Sequence, residues 1–123
     1  MQIAPVIDSR RFDRIERKCE FVGRHCDFKG DIRLFSGKTL DISLRGLGMM
    51  IDSRDVPAEG DTVDISIRIS ENEPAIKVVG YVSWRSDEVD DFVGADARLG
   101  VELTGMVNPV KSYKRWLEIL TWN

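Results

Sequence analysis

The sequence predicts a mainly β domain: a small six-stranded antiparallel β-barrel followed by one C-terminal α-helix. Three observations carry that prediction. Apolar and polar residues alternate in short runs along most of the chain, the period of half-buried strands. Turn residues separate the runs at close spacing, the rhythm of a barrel. From Asn108 onward the period changes from two to that of a helix. A length of 123 residues fits one domain. It is placed over residues 10–121, with residues 1–9 as a flexible arm that contains Pro5 and shows no period.

The elements follow in order. Lys18 to Phe28 reads as a strand; Cys19 and Phe21 share one face and Cys26 and Phe28 the other, unless a bulge near Gly23 unites them. Lys29-Gly30-Asp31 is a turn, Ile32 to Phe35 a strand, and Ser36-Gly37-Lys38 a second turn or bulge. The central strand covers residues 39–44. Its strict alternation puts Leu40, Ile42 and Leu44 inward and Thr39, Asp41 and Ser43 outward. Leu47, Met49 and Ile51 alternate next, after Gly46 and Gly48, which permit a turn or a close approach to bare backbone. Val63, Ile65, Ile67 and Ile69 make the cleanest half-buried strand. Ile76, Val78, Val82 and Trp84 share the apolar face of the following one. Residues 86–96 form an acidic loop, and Leu99, Val101 and Leu103 mark the last strand. The helix spans about 108–121, with Asn108 as N-cap and Pro109 at the first helical position. Val110, Tyr113, Trp116, Leu117 and Leu120 form its apolar face, expected to pack over the sheet.

Composition excludes several classes. The hydrophobic fraction of 42% and charged fraction of 32% fit a soluble globular chain rather than disorder. A net charge of -3 argues against DNA or RNA as partner. No apolar run is long enough for membrane insertion. Arg10-Arg11 is followed by Phe12-Asp13-Arg14, not by the apolar run of an export signal, so a cytoplasmic location is expected. Cys19 and Cys26 fit a reducing compartment. With His25 as the single histidine there is no metal-ligand pattern. No nucleophile–base arrangement stands out, so no catalytic residue is assigned and the chain is not read as an enzyme.

Two motifs remain. Residues 10–18 hold five basic residues in nine, within a chain acidic overall, and include Arg10-Arg-Phe-Asp-Arg14, an Arg-x-x-x-Arg pattern. Asp41-Ile-Ser43-Leu-Arg-Gly46 follows about one hairpin later. Alone, the first reads as a solvated segment and the second as a strand ending in a turn. In this order and spacing, with the Leu-Gly-Val-Glu-Leu strand at 99–103 and the closing helix, they resemble the PilZ domain, a bacterial receptor for the second messenger cyclic di-GMP. The resemblance covers about residues 9–120.

It implies a site on the outer barrel wall. Arg10 and Arg14 would clamp the ligand, and Asp41, Ser43 and Gly46 would form its floor. Arg11 would add a phosphate contact, and Trp84 an aromatic on which a base stacks, although the alternation places Trp84 on the core face. The chemistry fits: a guanidinium fork suits phosphate and the O6/N7 edge of guanine. A carboxylate accepts from guanine N1–H and its amine. No cofactor is implied beyond cyclic di-GMP. Function would be that of a receptor that orders its N-terminal arm on binding and signals to a protein effector, for instance in motility or exopolysaccharide machinery. The alternative is a PilZ-like interaction module that does not bind nucleotide.

Overall fold

The computed structural model describes residues 14–87 and 97–121. The strands are β1 (Ile15–Glu16), β2 (Glu20–Cys26), β3 (Ile32–Ile42), β4 (Gly46–Ile51), β5 (Thr62–Ile67), β6 (Ile76–Ser86) and β7 (Ala97–Met106), followed by α1 (Pro109–Thr121). Every pairing is antiparallel. The order β3-β2-β5-β6-β7-β4 returns to β3 through its second pairing with β4. Six strands therefore close a barrel, and closure leaves no full-length edge to pair with another chain. The two-residue β1 adds a strip beside the end of β3.

Alternation builds the core. On β5, Val63, Ile65 and Ile67 point inward while Thr62, Asp64 and Ser66 point outward. Ile42, Met49, Val78, Val82 and Leu99 join them at or near zero exposure. Each such side chain contributes about 1.5–3 kcal/mol on leaving water. His25 also turns inward at the barrel end, where Nδ1 lies 3.2 Å from Asp61 Oδ2.

Four expectations are corrected. Residues 36–38 make no turn: β3 runs unbroken through them, with Ser36 opposite Val22 and Lys38 opposite Glu20. There is no bulge at Gly23, because the β2–β3 register is continuous from Glu20 to Cys26. Phe28 consequently stays outside, 92% exposed in the hairpin turn. A bulge does occur between Thr39 and Asp41. It turns Thr39 inward with Ile42, where its hydroxyl donates to the Arg17 carbonyl and accepts from the Cys19 amide. A second irregularity between Val82 and Trp84 reverses the phase of β6 and puts Trp84 on the outer face, 39% exposed. One extra residue in a strand flips everything after it, and strict alternation cannot foresee that.

The helix starts where expected. Asn108 adopts φ 52°, a left-handed conformation Asn tolerates better than most residues, and its carbonyl accepts from the Ser112 amide. The predicted packing face is only partly right. Trp116 and Ile119 are buried and Leu120 is half-buried, whereas Val110, Tyr113 and Leu117 face outward. Arg115 fixes α1 to the β5–β6 connection through two short bonds to Glu73, 2.5 and 2.7 Å. Among the described residues, no helix is long and apolar enough to cross a membrane.

Candidate functional site

Strand register assembles the motif residues. Glu16 pairs with Asp41 and Ile15 with Ile42, so Arg14, just before β1, emerges beside Asp41. Arg14 Nη1 lies 3.5 Å from Asp41 Oδ1, a loose and solvated ion pair. Such a pair is easily opened by a ligand offering both partners better geometry. The bulge before Asp41 is what aims this carboxylate outward while Thr39 and Ile42 turn in.

The floor beside Asp41 is bare backbone. Asp41 pairs with Gly48, Gly48 with Gly100, and Gly100 with Trp84, making one row across four strands. At strand spacing this row spans about 14 Å. A Cβ on Gly48 would sit 2.8 Å from Asp41 Oδ1, and one on Gly100 would overlap Trp84 Nε1. The carboxylate therefore lies over one glycine and the indole over the other. Lys38, Met50 and Arg98 occupy the neighbouring outward row, with both cations exposed.

Ser43 and Gly46 close the β3–β4 hairpin. The Ser43 amide and hydroxyl both donate to the Gly46 carbonyl, at 2.9 and 3.3 Å. Ser43, expected to stand outward beside Asp41, is instead 5% exposed, because the hairpin turn draws its hydroxyl onto the Gly46 carbonyl rather than into open solvent. A side chain at Gly46 would press on the Val101 carbonyl, 3.1 Å from its would-be Cβ. Gly46 also pairs with Glu102, which accepts a 2.6 Å bond from Tyr81 Oη. That bond to a carboxylate pushes the Tyr81 hydroxyl above the usual phenol range, with burial adding to it.

The structure thus brings Arg14 beside Asp41, with Ser43 and Gly46 in the adjoining hairpin and Trp84 three strands away on the same wall. Arg10 and Arg11 lie outside the described residues. Gly100, Lys38 and Arg98 were missed as site candidates; only the strand register identifies their neighbours. Among the described residues, a concavity of about 1020 Å³ lies elsewhere, around the Arg24–Asp64 pair on β2 and β5 with Val22, Leu34 and Val79 on its walls. Among the described residues, no three metal-ligating side chains converge.

The described residues form a closed β-barrel with a charged, glycine-floored outer wall, the architecture of a receptor or adaptor family. The PilZ domain family model matches residues 8–117, and the chain belongs to that family, whose modules are non-catalytic. Solved structures share the fold. The inhibitor of motility MotI/DgrA of Bacillus subtilis superposes with a TM-score of 0.64 at 12% identity, over 88% of this chain and 47% of that one. MrkH of K. pneumonia in its apo state gives 0.63 at 15% identity, over 98% and 51%. The PilZ domain of Escherichia coli YcgR, determined with c-di-GMP, gives 0.57 at 13% identity, over 83% and 79%. The chain spans about half the length of the MotI/DgrA and MrkH chains. Comparison with curated protein sequences returns no match.

Proposed function

We propose that this protein is a cyclic di-GMP receptor that passes its signal to a protein effector. The observation that supports it most is the placement of Arg14 beside Asp41 on the outer wall, at the edge of the Gly48–Gly100 floor. Arg14 would bind phosphate or a guanine edge, and Asp41 would accept from guanine N1–H and its amine. Arg10, with Arg11 as an additional phosphate contact, would close over the ligand from the N-terminal side. Gly46 and the hairpin held by Ser43 would set the height of the floor, and Trp84 would offer an indole at its far end. Membership of the PilZ family and the fold shared with a c-di-GMP-bound PilZ domain support the same reading.

Signalling would come from ordering. A ligand held jointly by Arg10, Arg14 and Asp41 would fasten residues 9–15 across the barrel wall and create a new surface for the effector. Isothermal titration with cyclic di-GMP, against GTP and cyclic AMP, tests binding. Arg14→Ala is expected to lose about 2–4 kcal/mol of affinity, as for one partner of a charged, multidentate contact. Hydrogen exchange tests the ordering: amides of residues 9–15 gain protection on binding while Val63–Ile67 do not change. Wild-type affinity in Arg14→Ala removes the site assignment. No binding by the wild type leaves the nucleotide-free interaction module as the reading.

A further inference from the structure

The outward face of α1 carries a second apolar line, which the barrel uses only at its C-terminal end, where Leu120 is half-buried against the core. Val110, Tyr113, Leu117 and Leu120 follow the spacing three, four, three of a helix-packing seam. Val110 is 84% exposed, Leu117 51% and Tyr113 40%. Only Trp116 and Ile119, in the second half of the helix, are buried against the barrel, so the first half stands clear of it.

The charges beside this seam are placed against the helix's own field. A helix favours anions at its N-terminal end and cations at its C-terminal end. Here the first turn has no acid and the last turn no base. Lys111 and Lys114 lie early and Glu118 late, all three on the solvent side of the seam by helical spacing. Arg115 does not neutralise Glu118 fully. Its short bonds go to Glu73, and its contact with Glu118 is a loose 3.4 Å. An antiparallel neighbour of the same sequence corrects every one of these placements. Its C-terminal half, with Glu118, would lie beside Lys111 and Lys114, while Tyr113 would meet Leu117 and Val110 would meet Leu120.

We infer that α1 is a self-association surface, on which two copies of this chain pack antiparallel along Val110, Tyr113, Leu117 and Leu120. The inference does not depend on the nucleotide reading, since neither the seam nor its charges belong to the barrel-wall site. A parallel pairing would instead set Lys111 and Lys114 against their own copies. A helix of 13 residues is about 20 Å long, so the interface is small and the dimer weak.

Sedimentation equilibrium on the ligand-free chain, from about 5 to about 500 µM, spans the range expected for so small an interface. The apparent mass is expected to rise toward twice that of the monomer. Leu117→Glu should hold it at the monomer value without lowering the thermal midpoint, because this side chain is about half exposed and is not part of the hydrophobic core. Lys111→Glu with Lys114→Glu should weaken association at least about tenfold. Adding Glu118→Lys to that pair should restore it. A monomer at every concentration overturns the inference. So does a dimer untouched by Leu117→Glu, or one indifferent to the lysine reversals. If Leu117→Glu lowers the midpoint of a chain that is always monomeric, the seam is covered by the chain's own residues and the inference also falls.

Discussion

The indole N–H of Trp116 donates to the main-chain carbonyl of Ser43 over 2.9 Å. These residues stand 73 positions apart, and both are buried. The carbonyl sits just past the end of β3, in the turn that leads to β4. Trp116 thus fills the barrel end with apolar volume and satisfies a buried acceptor with one polar atom. It also joins α1 to the hairpin that carries Asp41, Ser43 and Gly46.

The two contributions separate by mutation. Trp116→Ala removes volume and bond together and should cost about 3–5 kcal/mol in urea denaturation. Trp116→Phe keeps most of the apolar contact but strands the Ser43 carbonyl. It should cost about 1–3 kcal/mol, the range for a buried polar group left unpaired. Equal losses in the two variants would mean that the bond, not the packing, dominates.

Asp41 and Asp52 lie on the same hairpin and provide an internal control. Asp41 faces the wall beside Arg14, whereas Asp52 accepts from Ser36 Oγ at 2.8 Å and its amide bonds the Ser36 carbonyl. Asp41→Ala should weaken cyclic di-GMP binding by at least about tenfold, equivalent to about 1.4 kcal/mol. It should also reduce discrimination against the adenine analogue cyclic di-AMP. Asp52→Ala should change neither. Equal effects in titration would point to net charge as the cause.

Much of the barrel was legible because its strands obey simple alternation. Val63, Ile65 and Ile67, or Leu47, Met49 and Ile51, follow a pattern that no other element satisfies. Two errors arose where one residue was inserted, and two where the strand runs unbroken through a glycine, at Gly37 and at Gly23. The bulge at Leu40 sends Thr39 inward, and the slip before Trp84 sends the indole outward. Both depend on the partner strand, whose register a single sequence does not display. The helix face was misjudged differently. Its apolar residues serve two directions, and only tertiary packing shows that Trp116 and Ile119 take the barrel while Val110 and Leu117 do not. For the site, Arg14, Asp41 and Gly46 were legible as motif members. Gly100 was not, since its neighbour is an indole 16 positions earlier.

The Glu73–Arg115 latch predicts a pH dependence. The hydrogen bonds from Arg115 hold the Glu73 carboxyl below the usual glutamate range. Burial opposes this, while the charges of Arg115 and Arg17 and a bond from Ser70 add to it. A carboxyl depressed in the folded state stabilises fully above its unfolded pKa. That contribution is lost as pH falls through the folded value. Both side chains remain about one third exposed, so the effect is modest. Glu73→Gln should lower the thermal midpoint slightly at neutral pH, since the contact is exposed and screened by solvent. The gap from wild type should close as acid protonates Glu73 in the wild type. A gap that widens in acid would show that Glu73 is not depressed by this contact.

Gly48 and Gly100 predict effects on the wall without effects on the backbone. Neither has the positive φ of Gly30 or Gly60, so alanine is conformationally allowed at both. What alanine meets there is a side chain. At Gly48 the new methyl would press on both Asp41 carboxylate oxygens, at 2.8 and 3.0 Å. At Gly100 it would occupy the place of the Trp84 indole. Trp84 is exposed enough to move away, so the barrel should survive Gly100→Ala. The cost should fall on the ligand surface, whose height and far end the methyl alters. Gly100→Ala is therefore expected to shift Trp84 fluorescence, read as the difference from a Trp84→Phe reference, and to weaken cyclic di-GMP binding about tenfold or more. Gly30→Ala gives the reverse pattern. Its φ of 86° penalises alanine although the surroundings are open, so it should lose about 1 kcal/mol of stability and no affinity. Titration and urea denaturation on the two variants should give crossed results. If Gly100→Ala binds as wild type while Trp84 has moved, the indole and its glycine lie outside the ligand footprint, and the site ends at Asp41 and Gly48.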